Sequence, residues 1–175
     1  IDKNCLKENF EAGKINITFK PDEKSGKSLC ILNGESVDEA IRRPEINNFV
    51  SPVSALTFVR AEMLKQQRSM GKSGGVVMEG RDIGTAVFPD ADLKIFLTAD
   101  IETRARRRYD ELQNKGIDIS MDEVKKNLAE RDRIDSTRKT APLRKAKDAV
   151  VIDNSCLSRE EQKNKLVQSA KEIIE

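Results

Sequence analysis

Apolar and polar positions alternate along the first third of the chain. Ile15, Ile17 and Phe19 fall at a period of two, and the turn-rich stretch Pro21-Asp22-Glu23-Lys24-Ser25-Gly26 follows. Leu29-Cys30-Ile31-Leu32 then runs into the turn pair Asn33-Gly34. Side chains two apart share one face of a strand, so this stretch predicts a small antiparallel β-meander. From Pro44 to Met70 the period lengthens: Phe49, Val53, Leu56, Val59, Met63 and Met70 recur mostly at steps of three and four. That spacing predicts one long amphipathic helix or a broken pair, with Pro52 tolerable near a helix start. The seam of the chain is expected near Pro44 to Val50. Further on, Gly75-Val76-Val77-Met78, Leu93-Lys94-Ile95-Phe96-Leu97 and Ala149-Val150-Val151-Ile152 are short runs rich in Val and Ile, with helical stretches between them. Such runs predict buried parallel strands of an α/β sheet.

The helices between and after these runs carry their own start signals. Asp100 precedes a helix expected over Ile101 to Lys115, and Gly116 stops it. Ser120-Met121-Asp122-Glu123 and Ser158-Arg159-Glu160-Glu161 both fit the capping box, in which the serine and glutamate side chains satisfy backbone N–H groups that the first turn leaves unpaired.

Composition narrows the chemistry. Lys and Arg number 32 against 30 Asp and Glu, so the net charge is only +2 although charged residues make up 35% of the chain. That balance argues against wholesale capture of nucleic acid. There is no histidine, which removes the Ser-His-Asp triad and every histidine-containing zinc site. Cys5, Cys30 and Cys156 are odd in number and far apart; neither a disulfide framework nor a metal-ligand set is expected, and a reducing cytoplasm is the expected setting. No apolar run has the length of a membrane span, so no membrane partner is expected either.

Two Gly-Lys-Ser triplets invite comparison with a phosphate-binding loop. Gly26-Lys27-Ser28 has Pro21 where the first loop glycine belongs, and Gly71-Lys72-Ser73 has Gln66 there and follows a helix, so both are expected to be polar turns. Glu79-Gly80-Arg81-Asp82-Ile83-Gly84-Thr85 follows a predicted strand, where open α/β sheets take up ligands. Arg81 offers a fork of donors for phosphate and Asp82 an acceptor for an amino group, or the two form a surface ion pair. Arg104, Arg106, Arg107 and Arg108 make a basic run inside a helix, which is either a solvated face or, in part, a face for a polyanion. Arg131, Asp135 and Arg138 recur at steps of four and three. They form either a self-paired polar segment or one face that takes a sugar hydroxyl and phosphates together.

Four segments then carry a resemblance: Glu79 through Ala91, Leu93 through Leu97, Arg104 through Arg108, and Arg131 through Arg138 with Ala141-Pro142-Leu143. Together they closely resemble the bacterial cytidylate kinases, nucleoside monophosphate kinases of the P-loop class. The resemblance is weak before Pro44 and strong from Ser51 to Asp153. It implies an α/β fold with a parallel-sheet kinase core, a small antiparallel β insert over residues 1–48 on the CMP side, a core over 49–175 and a short lid at about 131–142. It implies transfer of the ATP γ-phosphoryl group to CMP or dCMP, with Mg²⁺ accompanying ATP, in a cytoplasmic monomer. Ser51, Arg60 and Asp82 then fall where the family contacts cytosine. Arg131 and Asp135 fall where it holds the ribose, Arg138 where it reaches the nucleotide, and Arg81 where it grips the acceptor phosphate. Arg81, Arg131 and Arg138 are thereby the catalytic candidates, with Arg107 and Arg108 approaching ATP. Phosphoryl transfer is mainly positioning and charge neutralisation, so a histidine-free, arginine-rich site suits it.

The family opens with a strand, a glycine-rich phosphate loop and a helix that have no counterpart in this sequence. The expectation is therefore a piece of an active kinase that lacks the main ATP-binding elements and is nearly inactive alone. A competing expectation is a non-catalytic nucleotide-binding or regulatory module. A third, an RNA-binding domain over Arg104 to Lys147, is opposed by the low net charge and the scarcity of aromatic residues.

Overall fold

A computed structural model of the chain describes residues 2–23 and 26–174. The chain groups into two compact units, Ile1–Val77 and Met78–Glu175.

The first unit opens with α1 (Lys3–Glu11), where the Asp2 carboxylate accepts from the Asn4 and Cys5 N–H groups. The expected meander follows as β1 (Ile17–Pro21), β2 (Ser28–Leu32) and β3 (Glu35–Ser36), antiparallel in the order β1-β2-β3 with Ile17 opposite Leu32. Asn33 and Gly34 both take positive φ, 53° and 93°, as the β2–β3 turn requires. The stretch from Pro44 resolves into the broken pair, α2 (Pro44–Ser54) and α3 (Thr57–Met70). Gln66 on α3 ties the meander down, accepting from the Ile17 N–H at 3.1 Å and donating to the Ile15 carbonyl at 3.0 Å. Phe10 meets Phe58 edge-to-face, with ring centres 6.4 Å apart, and Phe10, Ile31 and Val59 are buried. Gly26-Lys27-Ser28 lies at the entry to β2, and Gly71-Lys72-Ser73 forms the turn after α3.

Gly75–Met78 corrects one expectation: it is not a strand. Val77 is fully exposed and Val76 nearly half so, and no strand among the described residues pairs with the segment. A Val-rich run suits a pleated, half-buried surface, but without a neighbouring ladder it has no partner for its backbone groups.

In the second unit a single π-turn, Ile83–Val87, precedes β4 (Ile95–Thr98) and α4 (Ile101–Asn114). Then come α5 (Met121–Thr137), β5 (Val150–Asp153) and α6 (Arg159–Ile174). The strands β4 and β5 pair in parallel, Ile95 with Val150 and Leu97 with Ile152, as the sequence predicts for an α/β core, but the expected burial holds only at Ile152, and Leu97, Val150 and Val151 are nearly half exposed. Val87, Ala105, Val124 and Ile152 are buried in this unit. Helices α4 and α5 are tied by Arg104–Asp132 and Glu102–Lys125 ion pairs, each at 2.7 Å. No helix among the described residues is long and apolar enough to cross a membrane.

All three predicted caps form. Asp100 accepts from the Thr103 N–H at 2.7 Å. Ser120 and Glu123 exchange bonds between side chain and backbone, as do Ser158 and Glu161. The Thr103 N–H and hydroxyl hold the Asp100 carboxyl below the usual carboxylate range, and the Ser120 hydroxyl and N–H do the same for Glu123. The folded state therefore has the lower pKa at each cap, so this stabilisation is complete above the ordinary carboxylate range and is lost as pH falls through the lowered values. The melting temperature is expected to be level from about pH 7 to pH 5 and to fall below about pH 4. Ser120→Ala should lower it by about 2–4 °C at pH 7, the scale of one lost N-cap. It should also shallow the acid limb, which calorimetric scans from pH 7 to 3 would read. An equal shift at every pH would separate the Ser120 cap from the acid response.

Candidate active site

Arg81 and Asp82 sit where the chain bends into the π-turn. The Asp82 carbonyl accepts from Thr85, Ala86 and Val87 N–H groups, with the Ala86 bond at 2.8 Å, and the Phe88 N–H reaches the Ile83 carbonyl at 2.7 Å. A π-turn is rare outside functional segments, because it spends one extra residue on the same advance. A side chain approaches both glycines here closely, with no need for unusual φ. A Cβ on Gly80 would lie 2.9 Å from Ile83 Cγ1, and one on Gly84 3.3 Å from Lys94 Cγ.

Asp135 lies near the end of α5 and is buried. Its Oδ2 accepts from Arg81 Nε at 3.1 Å and lies 3.9 Å from Arg131 Nε. Its Oδ1 accepts from Arg138 Nη1 at 3.2 Å. Arg138 is just past the helix, at its C-cap with extended backbone, so the expected shared face holds for Arg131 and Asp135 while Arg138 reaches back from the chain beyond. The Arg138 Nε donates to the Ala141 carbonyl at 2.8 Å, and its Nη2 lies 3.5 Å from Asp82 Oδ1. Ala141 is held at φ 47°, a left-handed value uncommon for a residue with a Cβ. The Leu143 N–H closes the loop on the Asp135 carbonyl at 2.8 Å.

Three guanidinium groups thus meet two carboxylates in one unit, and the cluster is layered. The side chains of Arg138 and Asp135 are only 7% and 8% exposed, whereas those of Arg81 and Arg131 are 46% and 52% exposed. A buried arginine and two buried acids form the base, and two half-exposed arginines stand over it with one net positive charge between the five. Arg81 spends its Nε on Asp135, and its two terminal nitrogens have no protein partner among the described residues. That arrangement presents oriented donors to an anion, and a phosphate matches them two oxygens at a time.

The other predicted residues lie elsewhere. Arg107 binds the loop after β5, donating to Asn154 Oδ1 at 3.0 Å and to the Asn154 and Leu157 carbonyls at 2.7 and 3.2 Å. Arg108 pairs with Glu111 at 2.7 Å. Arg60 is on α3, in the first unit, and partly buried. Ser51 lies within α2, and its side chain is outside the described residues. The Lys94–Asp148 pair at 2.5 Å, in which the lysine side chain is only 8% exposed, is not among the contacts predicted from the sequence. A lysine at the mouth of an apolar strand run was the available signal.

The profile of the cytidylate kinase family matches residues 5–172. The cytidylate kinase of Bacteroides fragilis is 49% identical over 174 residues, covering 99% of this chain and 75% of that protein. The cytidylate kinase of Flavobacterium psychrophilum is 50% identical over 161 residues, 92% of this chain and 70% of its own length. That of Porphyromonas gingivalis is 48% identical over 164 residues, 93% and 71% respectively.

Proposed function

The chain belongs to the cytidylate kinase family, and from that premise we propose that the full-length protein transfers the terminal phosphoryl group of ATP to CMP or dCMP, giving ADP and CDP or dCDP. The observation that carries the reading is the layered cluster, because its outward donors suit a nucleotide phosphate and its inner acids suit the polar edges of a nucleoside. Residues 1–48 act as the CMP-side insert, 49–175 as the core and about 131–142 as the lid, in a cytoplasmic monomer.

Arg81 grips the acceptor phosphate, with its fork oriented by Asp135. Asp82 accepts from the N4 amino group of cytosine, whereas uracil would bring an oxygen against the carboxylate and be repelled. Arg131 and Asp135 hold the ribose, and Arg138 keeps the two acids in register while reaching the nucleotide. The same base-side role for Ser51 and Arg60 rests on the resemblance alone. Arg107 and Arg108 are assigned to ATP; Arg108, whose partner is a carboxylate three residues away, can turn toward a phosphate at less cost than Arg107, which holds three acceptors. Family kinases take Mg²⁺ with ATP, and the ion would neutralise charge on the phosphates. No group of three acidic or cysteine ligands is gathered for it among the described residues, and the roles above run through the arginines and acids alone.

An ADP-release assay with CMP, dCMP and UMP as acceptors tests the proposal. CMP and dCMP should turn over and UMP should lag far behind; a preference for another base, or no phosphoryl transfer by the full-length protein, overturns it. Asp82→Asn should narrow the CMP-to-UMP ratio of kcat/KM by about 1–3 kcal/mol, the scale of one base-edge contact, since the amide can donate to uracil O4. An unchanged ratio takes Asp82 out of base reading.

A further inference from the structure

Away from the nucleotide roles just assigned, the second unit holds a cleft of about 420 Å³ lined by Gly84, Thr85, Lys94, Arg144, Lys145 and Lys147, among others. We propose that this cleft binds a small oligophosphate anion, as a site separate from the Arg81–Asp135 cluster.

Its place in the fold is the first argument. Lys94 immediately precedes β4, and Asp148, also in the lining, lies just before β5. The cleft therefore opens at the amino ends of the parallel strands, whereas ligands of α/β sheets are taken up beyond the carboxyl ends. Charge is the second. From Arg138 to Lys147 the chain carries five cationic side chains and no acidic one, an excess in a chain whose net charge is +2. Asp148 neutralises Lys94 at 2.5 Å, while Arg144, Lys145 and Lys147 have no carboxylate partner among the described residues. Three unneutralised cations around a cleft of small-molecule size call for a compact ligand of several negative charges. The lining holds no aromatic side chain, so there is nothing for a base to stack on; the phosphate chain itself is what the cleft reads. The walls are also chemically connected to the cluster. Gly84–Ala86 is the turn anchored on the Asp82 carbonyl, and Ala141 accepts from Arg138.

Inorganic tripolyphosphate, titrated into the full-length protein and followed by amide NMR and calorimetry, tests this. Shifts are expected at Gly84, Lys94 and Ala146. Arg144→Ala/Lys145→Ala/Lys147→Ala should weaken that binding at least tenfold with an unchanged melting temperature, because all three residues are exposed. Arg81→Ala/Arg131→Ala should leave it intact. Equal cleft shifts from tripolyphosphate and from ATP would support recognition of the phosphate chain, while ATP binding there tenfold tighter would overturn it in favour of a base-reading site. Unaltered affinity in the triple variant, loss in the Arg81/Arg131 variant instead, or tighter binding of a short RNA at the same amides would each overturn the proposal, as would the absence of cleft shifts at millimolar tripolyphosphate.

Discussion

Replacing Asp135 with alanine is expected to lower the melting temperature by about 6–20 °C and to cut activity in the fraction that stays folded. The buried Arg138 loses its 3.2 Å carboxylate partner, while Asp82 at 3.5 Å and the Ala141 carbonyl at 2.8 Å remain. Removing one member of a buried pair costs roughly 3–5 kcal/mol, because the remaining charge keeps its desolvation penalty without the compensating attraction. In a chain of this size each kcal/mol moves the midpoint by about 2–4 °C. Arg81 and Arg131 lose their common anchor at the same time, so their forks no longer converge on one phosphate. Asp135→Asn keeps the shape and removes the charge, so it should fall between wild type and alanine. The kinetic comparison of CMP with dCMP separates two roles for the carboxylate. If Asp135 also accepts from the ribose 2′-OH, CMP loses more kcat/KM than dCMP. Equal losses would leave it as the organiser of the arginines alone. A melting temperature within a degree or two of wild type would refute the buried-pair account.

The cluster shows which physical signals a sequence displays and which it hides. Arg131 and Asp135 stand four apart on α5 and share its face. That helical step is a local property and was readable, whereas Arg138 lies past the helix end on extended backbone and reaches back to Asp135 in a way no helical step predicts. The Arg81–Asp135 bond spans 54 positions, and no spacing rule reaches so far; resemblance to a family placed both residues at one nucleotide, but their direct contact came from the fold. Arg107 teaches the converse. Within its basic run it looked like any of its neighbours, yet three acceptors at the end of β5 hold it, and those acceptors are set by tertiary packing.

Secondary structure divides along the same line. The caps at Asp100, Ser120 and Ser158 were legible because a cap is decided within four residues. The strands β4 and β5 appeared within a residue or two of their apolar runs. Gly75–Met78 has the same composition and no strand, because a strand exists only with a neighbour to pair with. The α1 helix went unread although Asp2 caps it and Leu6 and Phe10 stand four apart; nine residues give too few apolar repeats to stand out from the alternation that follows. The π-turn had no signature beyond Gly80 and Gly84, whose small size is explained only by Ile83 and Lys94 lying against them.

Arg81→Lys is expected to lower kcat/KM by about 10²–10³ while shifting the melting temperature by no more than a degree or two. The stability side follows from exposure. The Arg81 side chain is nearly half exposed, and ion pairs in such settings contribute about 0–1 kcal/mol. The catalytic side follows from geometry. Arginine binds Asp135 through Nε and keeps its two terminal nitrogens in a fixed plane for the acceptor phosphate, whereas lysine has one ammonium group and must choose between the carboxylate and the phosphate. Losing a preorganised donor to charge that develops in the transition state costs about 2.7–4 kcal/mol in enzymes that depend on such donors. The split between kcat and KM identifies the step. A fall in kcat at nearly constant KM for CMP places the Arg81 contact with the acceptor phosphate in the transition state, and a rise in KM at constant kcat places it in ground-state binding alone. Thermal melts run beside the kinetics decide whether the residue is functional at all: a collapsed melting temperature with normal turnover in the folded fraction would make Arg81 a structural partner of Asp135 and remove it from the reaction.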